Sequence, residues 1–384
     1  IAENRPDFEV IILEKSDQVL QKVKMSGGGR CNLTNACFDA KELIKFYPRG
    51  GKELLGPFHQ FMTKDTMEWF ESRGISLKIE DDNRVFPASN SSQTIVDFLV
   101  NSAQKLQVKV LTQHRVATVL KKENQFEIIT SKGNFLADDL LMATGSNNRI
   151  FQVISSLGHN IIHTVPSLFT FNIVDNRLKQ IPGISVPNAK VQIKNTDFIS
   201  EGPLLITHWG LSGPAILKLS AFAARYLAEV NYYFELEVNW LNTSAEKLMD
   251  ALKEFKLKNP KKTIFSKAPF AEIPNRLWEQ MCLFSAVEIQ KIWADCTKQE
   301  LQSFVKILTN LTFKVDGKST FKDEFVTAGG VDLKEINFKT MESKIHNNLY
   351  FAGEILNIDA VTGGFNFQNA WTGAYIAALS IIES

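Results

Sequence analysis

An α/β fold is predicted by three segments of this sequence. Residues 8–13, FEVIIL, form a short apolar run closed by Glu14, the pattern of a strand buried on both faces. Residues 108–145 hold three or four short strands with turns at Glu123–Asn124 and Lys132–Gly133. The last of these, residues 139–142, leaves through Ala143-Thr144-Gly145. Residues 348–384 read strand, glycine turn and helix, with the glycines at Gly363 and Gly364 and the helix from Phe367. Strands mixed with helical stretches in this way belong to the α/β class.

The segments between follow from local signals. Residues 1–7 read as a helix end and a turn into the first strand. Residues 25–35, MSGGGRCNLTN, are a glycine-rich patch. Residues 39–73 are helical in texture, with breaks expected at Pro48 and at Gly56–Pro57, and a second helix is expected over 92–104. Residues 166–187 are turn-rich, and alternating strands run from there to about Thr207. An apolar helix over 215–226 is started by Pro214, which suits a first helical turn. Residues 245–303 are mostly helical, lysine-rich over 253–262, and aromatic on one face.

Composition narrows the function classes. The chain has 384 residues with 43 Lys+Arg against 42 Asp+Glu, a formal charge of +1. At roughly 150 residues per domain that is two to three domains. Hydrophobic residues at 44% exclude a largely disordered chain. The near-neutral total argues against a nucleic-acid partner. Cys31, Cys37, Cys282 and Cys296 form neither a disulfide framework nor a CxxC pair, which predicts a reducing, cytoplasmic setting. No signal peptide and no apolar run of membrane-spanning length is present, so no membrane association is expected. The six histidines share no ligand spacing with one another or with the cysteines, so no metal site is expected.

Five places carry candidate chemistry. Glu14 alone reads as a solvated strand cap; in a dinucleotide-binding βαβ unit the same acid takes ribose hydroxyls. No G-x-G-x-x-G turn precedes it, and the chain starts at Ile1, so that strand and turn are expected upstream of this sequence. Ser26-Gly27-Gly28-Gly29-Arg30-Cys31-Asn32 combines three glycines, which let backbone amides approach a flat or anionic ligand, with a cation and an amide. Cys31 reads as structural rather than redox-active. Ala143-Thr144-Gly145 would let backbone pass close to a nucleotide. Gly353-Glu354 and the turn before the last helix offer a helix N-terminus with unpaired N–H groups. In Thr207-His208-Trp209-Gly210, the imidazole of His208 could exchange a proton with a substrate, or it could tie its loop to backbone.

Together KVKMSGGGRCNLTN, DDLLMATGS, EGPLLITHWGLSGPA, TAGGVDLKEINFKTMESK and NLYFAGEILNIDAVTGGFNFQNAWTGA resemble the bacterial BaiN/YhiN-like family of FAD-dependent oxidoreductases, also called aminoacetone-oxidase-like. The resemblance spans nearly the whole chain. It implies a Rossmann-like FAD-binding domain split between residues 1–165 and 326–384, with a β-rich, partly helical substrate domain inserted over 166–325. It implies Glu14 on the adenosine ribose, Lys22 and Ser26 to Asn32 on the pyrophosphate-to-flavin side, and Val116 near the adenine through its backbone. It places Ala143, Thr144 and Gly145 along the adenosine half and Gly353 and Glu354 at the ribityl-pyrophosphate region. Gly364, Phe365, Asn366, Phe367 and Gln368 would cover the flavin N1/O2 edge, with Thr207 and His208 facing the flavin from the inserted domain. Asn357 and Ala360 stand where similar chains more often have Asp and Gly.

The function implied is hydride transfer between a small organic molecule and flavin N5, with NAD(P)H as a transient donor or oxygen as reoxidant. Two alternatives accompany it. One is an RNA-modifying or RNA-binding flavoprotein, for which residues 253–262 supply a local basic patch. The other is a non-catalytic FAD-binding remnant.

Overall fold

The computed structural model describes residues 1–285, 287–288, 290–319 and 326–383. It comprises two compact units, Ile1–Val165 with Val326–Ser384, and Pro166–Phe325.

The first unit begins with β1 (Ile11–Leu13), α1 (Gln21–Gly29), β2 (Thr34–Asn35), α2 (Ala40–Leu43), α3 (Gly51–Gln60) and α4 (Thr63–Glu71). It continues with β3 (Leu77–Ile79), β4 (Arg84–Pro87), α5 (Ser92–Lys105), β5 (Lys109–Leu111), β6 (Val116–Lys121), β7 (Phe126–Thr130) and β8 (Gly133–Ala137). Then come β9 (Leu140–Met142), α6 (Asn148–Ser156) and β10 (Ile161–Ser167). β1 is shorter than its apolar run because a turn draws Phe8 back onto Arg5, the Phe8 N–H donating to the Arg5 carbonyl at 3.0 Å. Pro57 lies inside α3 instead of ending it. Its missing N–H removes one intrahelical bond, and burial of Leu54 and Phe58 on the same helix holds the turn.

The second unit is built on β11 (Thr170–Asn172), β12 (Ser185–Ile193), β13 (Ile199–Thr207), β14 (Gly210–Ser212), β15 (Tyr233–Asn239), β16 (Leu311–Asp316) and β17 (Lys318–Ser319). Among the described residues these form one antiparallel sheet in the order β16-β15-β12-β13-β14-β11-β17. Pro187 sits within β12 at a register shift between Val186 and Ala189, where its absent N–H costs no ladder bond. Its helices are α7 (Pro214–Phe222), α8 (Ala224–Glu229), α9 (Ala245–Lys258), α10 (Asn275–Phe284) and α11 (Lys298–Thr309). The apolar run over 215–226 is thus two helices rather than one, parted at Ala223. The aromatic face read from residues 245–303 becomes core: Trp278 and Trp293 are fully buried and stack on each other at 6.2 Å.

The chain then returns to the first unit with β18 (Val326–Val331), β19 (Ile336–Asn337), β20 (Glu342–Ser343), β21 (Leu349–Phe351) and α12 (Phe365–Glu383). α12 starts two residues before the expected Phe367. β1 pairs with β5 and β9 with β21, both in parallel. These two parallel ladders lie in separate sheets. Antiparallel β6-β7-β8 and β2-β4-β3, the pair β10-β18, and β20 and β19 beside β21 complete the strands of this part among the described residues. No helix among the described residues is long and apolar enough to cross a membrane.

Candidate functional site

In open α/β sheets, ligands bind beyond the carboxyl ends of the parallel strands. Those ends are where this sequence keeps its unusual residues: Glu14 follows β1, Ala143 follows β9, and Gly353 follows β21. The Glu14 backbone extends the β1–β5 ladder, its N–H donating to Leu111 O at 2.9 Å. Its Oε1 accepts from the Ser16 N–H at 2.7 Å. Its carbonyl accepts from the His114 N–H at 2.8 Å, which brings Val116, the first residue of β6, to the same end.

At the β9–β21 end, Ala352 N–H donates to Met142 O at 3.1 Å, so the exits of the two strands run side by side. Lys22 Nζ donates to the Glu354 carboxylate, whose other oxygen accepts from the Thr327 N–H at 3.2 Å. Gly145 lies against both, at φ +65°, and a Cβ there would sit 3.8 Å from Lys22 Nζ and 3.9 Å from Glu354 Oε2. The structure therefore joins Lys22, Gly145 and Glu354, which are far apart in sequence. Ala143 and Thr144 are exposed beside them.

The glycine-rich patch is not wholly a loop. α1 carries it until Ser26, where ψ turns to 150°, and Gly27, Gly28 and Gly29 follow at φ +58°, +67° and +82°. Cys31 N–H donates to Ser26 O at 3.0 Å and closes the turn. A Cβ on Gly27 would meet Asn32 N at 2.8 Å, whereas Cβ atoms on Gly28 and Gly29 would meet nothing within 4 Å. The space over these two exposed glycines is open to a ligand. Arg30, read as a cation of the loop, is paired within the fold: its guanidinium donates to Glu80 at 2.6 Å and lies 4.1 Å over the Phe86 ring. The hydrogen bond from Arg30 holds the Glu80 carboxyl below its usual range. Cys31 is fully buried at φ +60°, and burial pushes its thiol up to about 11, so it stays protonated. With its amide oriented so that both ends are satisfied, Asn32 donates to Thr34 O at 3.0 Å and accepts from Gly364 N–H at 2.9 Å, tying the patch to the start of α12.

Gly364 is required there: at φ +92°, a Cβ would fall 2.4 Å from Thr34 O. Phe365 stacks on Phe46 at 4.2 Å, and its carbonyl accepts from Tyr47 Oη at 2.6 Å. Burial raises the Tyr47 phenol well above its ordinary range. Asn366 clasps the Ala360 backbone, donating and accepting at 3.0 Å. Gln368 is fully buried, accepting from Thr34 Oγ1 at 2.6 Å and Thr66 Oγ1 at 3.0 Å, and donating to Thr372 Oγ1 at 3.0 Å. Phe367 stacks on Trp371. These side chains are engaged within the fold, so a ligand at this end meets the helix backbone. Sequence reading missed Tyr47 and the buried pair Arg49–Asp359, which hold the same turn. No local pattern links positions 310 residues apart.

Thr207 and His208 belong to the second unit. Thr207 Oγ1 both donates to Gly210 O and accepts from Gly210 N–H, at 3.1 Å each, and so closes the β13–β14 hairpin. His208 is exposed at its tip, and no group among the described residues hydrogen-bonds its ring. A role in tying the loop to backbone is therefore not what the structure gives this histidine. Among the described residues, no group of three or more His, Cys, Asp or Glu is placed to hold a metal ion.

The profile of the HI0933-like protein Rossmann domain matches residues 1–380. The chain belongs to this family. It is with that a flavin-dependent oxidoreductase of the FAD-binding Rossmann class. It is 28% identical over 390 residues to the ribosomal RNA dihydrouridine synthase of Haemophilus influenzae, covering 97% of this chain and 92% of that protein. It is 25% identical over 398 residues to the 3-dehydro-bile acid Δ(4,6)-reductase of Clostridium scindens, covering 98% and 93%. Its fold is similar to that of the 3-ketosteroid-Δ4-(5α)-dehydrogenase of Rhodococcus jostii RHA1, with a TM-score of 0.50 at 12% identity, covering 99% and 92%.

The residues present fit the family's cofactor. Left-handed Gly28 and Gly29 sit beside open space, an acid ends the first strand, and a 19-residue helix begins at a glycine turn. Gly28→Val is expected to lose flavin more than stability. Its Cβ meets no protein atom, but a β-branched residue at φ +67° costs roughly 1–3 kcal/mol and fills the open space. Flavin content and melting temperature of the variant and parent check this; unchanged flavin content contradicts it. Glu14→Gln is expected to weaken FAD by about 1–3 kcal/mol while the fold persists. Titration of the apo-protein with FAD reads the difference, and equal affinities return Glu14 to a strand cap.

Proposed function

We propose that this chain passes hydride between flavin N5 and a carbon–carbon double bond conjugated with a carbonyl. The chemistry shared by its two named relatives supports the reading. Dihydrouridine formation saturates the ring double bond of uracil, and the bile-acid reductase saturates bonds conjugated with a ketone. Each adds a hydride to one carbon and a proton to its neighbour. FAD, when bound, supplies the two-electron hydride carrier.

The chain's own residues would do the rest. Glu14 and the backbone near Val116 take the adenosine end. Lys22, Glu354 and the amides of Gly28 and Gly29 take the pyrophosphate-to-flavin stretch, with Gly145 allowing close passage. The first turn of α12 would offer its N–H groups and positive dipole end to a bound flavin, which would favour the anionic reduced form. His208, exposed and with its ring unengaged in the fold, supplies the proton. NAD(P)H is the reductant in this reading. The observation that supports it is the meeting of Lys22, Gly145 and Glu354 beyond the ends of β9 and β21.

A small enone is the first substrate class. The uracil ring of ribosomal RNA is the second, and the H. influenzae relative favours it. The FAD-loaded protein would be given NADPH or NADH with either an α,β-unsaturated ketone or in vitro transcribed ribosomal RNA. Cofactor consumption and nucleoside mass spectrometry for dihydrouridine are the readouts. Product from either acceptor supports the reaction; neither product, with flavin bound, refutes it.

A further inference from the structure

The total charge of +1 conceals an uneven distribution. Residues 247–267 carry seven lysines against two acids, Asp250 and Glu254. Both acids are paired by lysines of the same helix, α9: Lys253 with Asp250 at 3.0 Å and Lys258 with Glu254 at 2.5 Å. Lys256 donates to Cys296 O at 2.6 Å. Lys261, Lys262 and Lys267 are exposed, and none has a carboxylate partner among the described residues.

Two of these lysines rim a cleft of about 540 Å³, within the size range of small-ligand pockets. Phe255, Phe270, Asn259 and Asn275 line it with Lys262 and Lys267. Its wall is built, not a loose loop. Trp293 N–H donates to Lys262 O at 3.0 Å, and Ala294 N–H donates to Pro260 O at 3.0 Å. Trp278 Nε1 donates to Ile264 O at 2.8 Å, and Ala268 N–H to Asn275 Oδ1 at 3.1 Å. Phe255 and Phe270 pack on the core of the second unit, and each keeps part of its ring in the cleft.

We propose that this cleft between the end of α9 and the start of α10 binds single-stranded RNA, with Lys262 and Lys267 on phosphates and Phe270 against a base. Paired ammonium groups beside an aromatic wall are what single-stranded nucleic acid uses: the charges follow the backbone and the ring stacks on any base. The amides of Asn259 and Asn275 line the same wall, though Asn259 Nδ2 already donates to Phe255 O and Asn275 Oδ1 accepts from Ala268. A concave cleft fits a strand, whereas a flat bilayer would meet only its rim. The proposal rests on the ribosomal RNA reading given above and names the surface that would hold that substrate.

The test uses FAD-loaded protein and a fluorescein-labelled, single-stranded ribosomal RNA transcript in a salt series, followed by anisotropy. The parent is compared with K262E/K267E and with F270A. The double variant is expected to bind at least about tenfold more weakly, with a salt slope shallower by about 1.4 for two lost phosphate contacts. Phe270→Ala is expected to weaken binding by about fivefold or more with the slope unchanged. Melting temperature and flavin reduction by NAD(P)H should match the parent in both variants, which separates a lost contact from a lost fold. Equal RNA affinity of the parent and the double variant overturns the proposal while leaving an RNA substrate standing. A parent that binds no RNA, or binds only phosphatidylglycerol vesicles, overturns both, and the enone assay then decides whether the reductase reading survives.

Discussion

Replacing Arg49 with Met is expected to destabilise the first unit by about 3–5 kcal/mol. Asp359 is fully buried and Arg49 is 14% exposed at the side chain; the guanidinium grips the carboxylate through two nitrogens. Removing the cation leaves a carboxylate in a site that water does not reach. The loss would fall on the turn before α12, because Tyr47 and Arg49 approach that turn from one strand of backbone and Asp359 lies within it. Denaturant unfolding of the FAD-loaded protein reads the effect. Arg49→Met with Asp359→Asn should recover part of it, since the pair then buries no charge. A single variant within about 0.5 kcal/mol of the parent, the scale of a surface substitution, contradicts the burial argument.

His208→Asn is expected to slow the substrate half-reaction by about 10²–10⁴, the range of general acid–base catalysis, with FAD affinity unchanged. The hairpin tip that bears it is fixed on both sides by the Thr207–Gly210 bonds and by Trp209 O accepting from Ile173 N–H at 2.8 Å. Gly210 is also required, because a Cβ there would fall 2.1 Å from Phe171 O. A fixed tip presenting one exposed imidazole suits proton transfer. Melting temperature should not move, since the ring makes no hydrogen bond within the fold. Stopped-flow reoxidation of the reduced protein by its acceptor measures the rate. A rate within about threefold of the parent rejects the role.

Much of the site was legible because its signals are local. Glu14 closes an apolar run, three glycines sit in a row, and Gly363–Gly364 precedes an apolar helix; each can be read from a few adjacent residues. The strand at 139–142 and the helix at 92–104 were legible for the same reason and lie within a residue or so of the observed elements. What sequence could not show is which polar groups answer one another across the fold. Arg30 reads as a binding cation until Glu80 and Phe86 are placed beside it. Gln368 and Asn366 read as ligand contacts until Thr34, Thr66 and the Ala360 backbone engage them. The Lys22–Glu354 pair spans 332 positions, so only the meeting of α1 with the end of β21 reveals it. Proline was misread in α3 because helix length and burial outweighed one lost hydrogen bond.

The central claim is that the ends of β1, β9 and β21, with the glycine turn of α1 and the start of α12, hold FAD for hydride transfer. The most direct measurement is the absorption spectrum of the full-length protein after FAD loading and removal of free flavin, before and after anaerobic NAD(P)H. The account predicts one retained flavin per chain, with bands near about 375 and 450 nm that bleach on reduction, and their loss in Gly28→Val. A colourless protein, or one whose flavin is retained equally by Gly28→Val and Glu14→Gln, contradicts it.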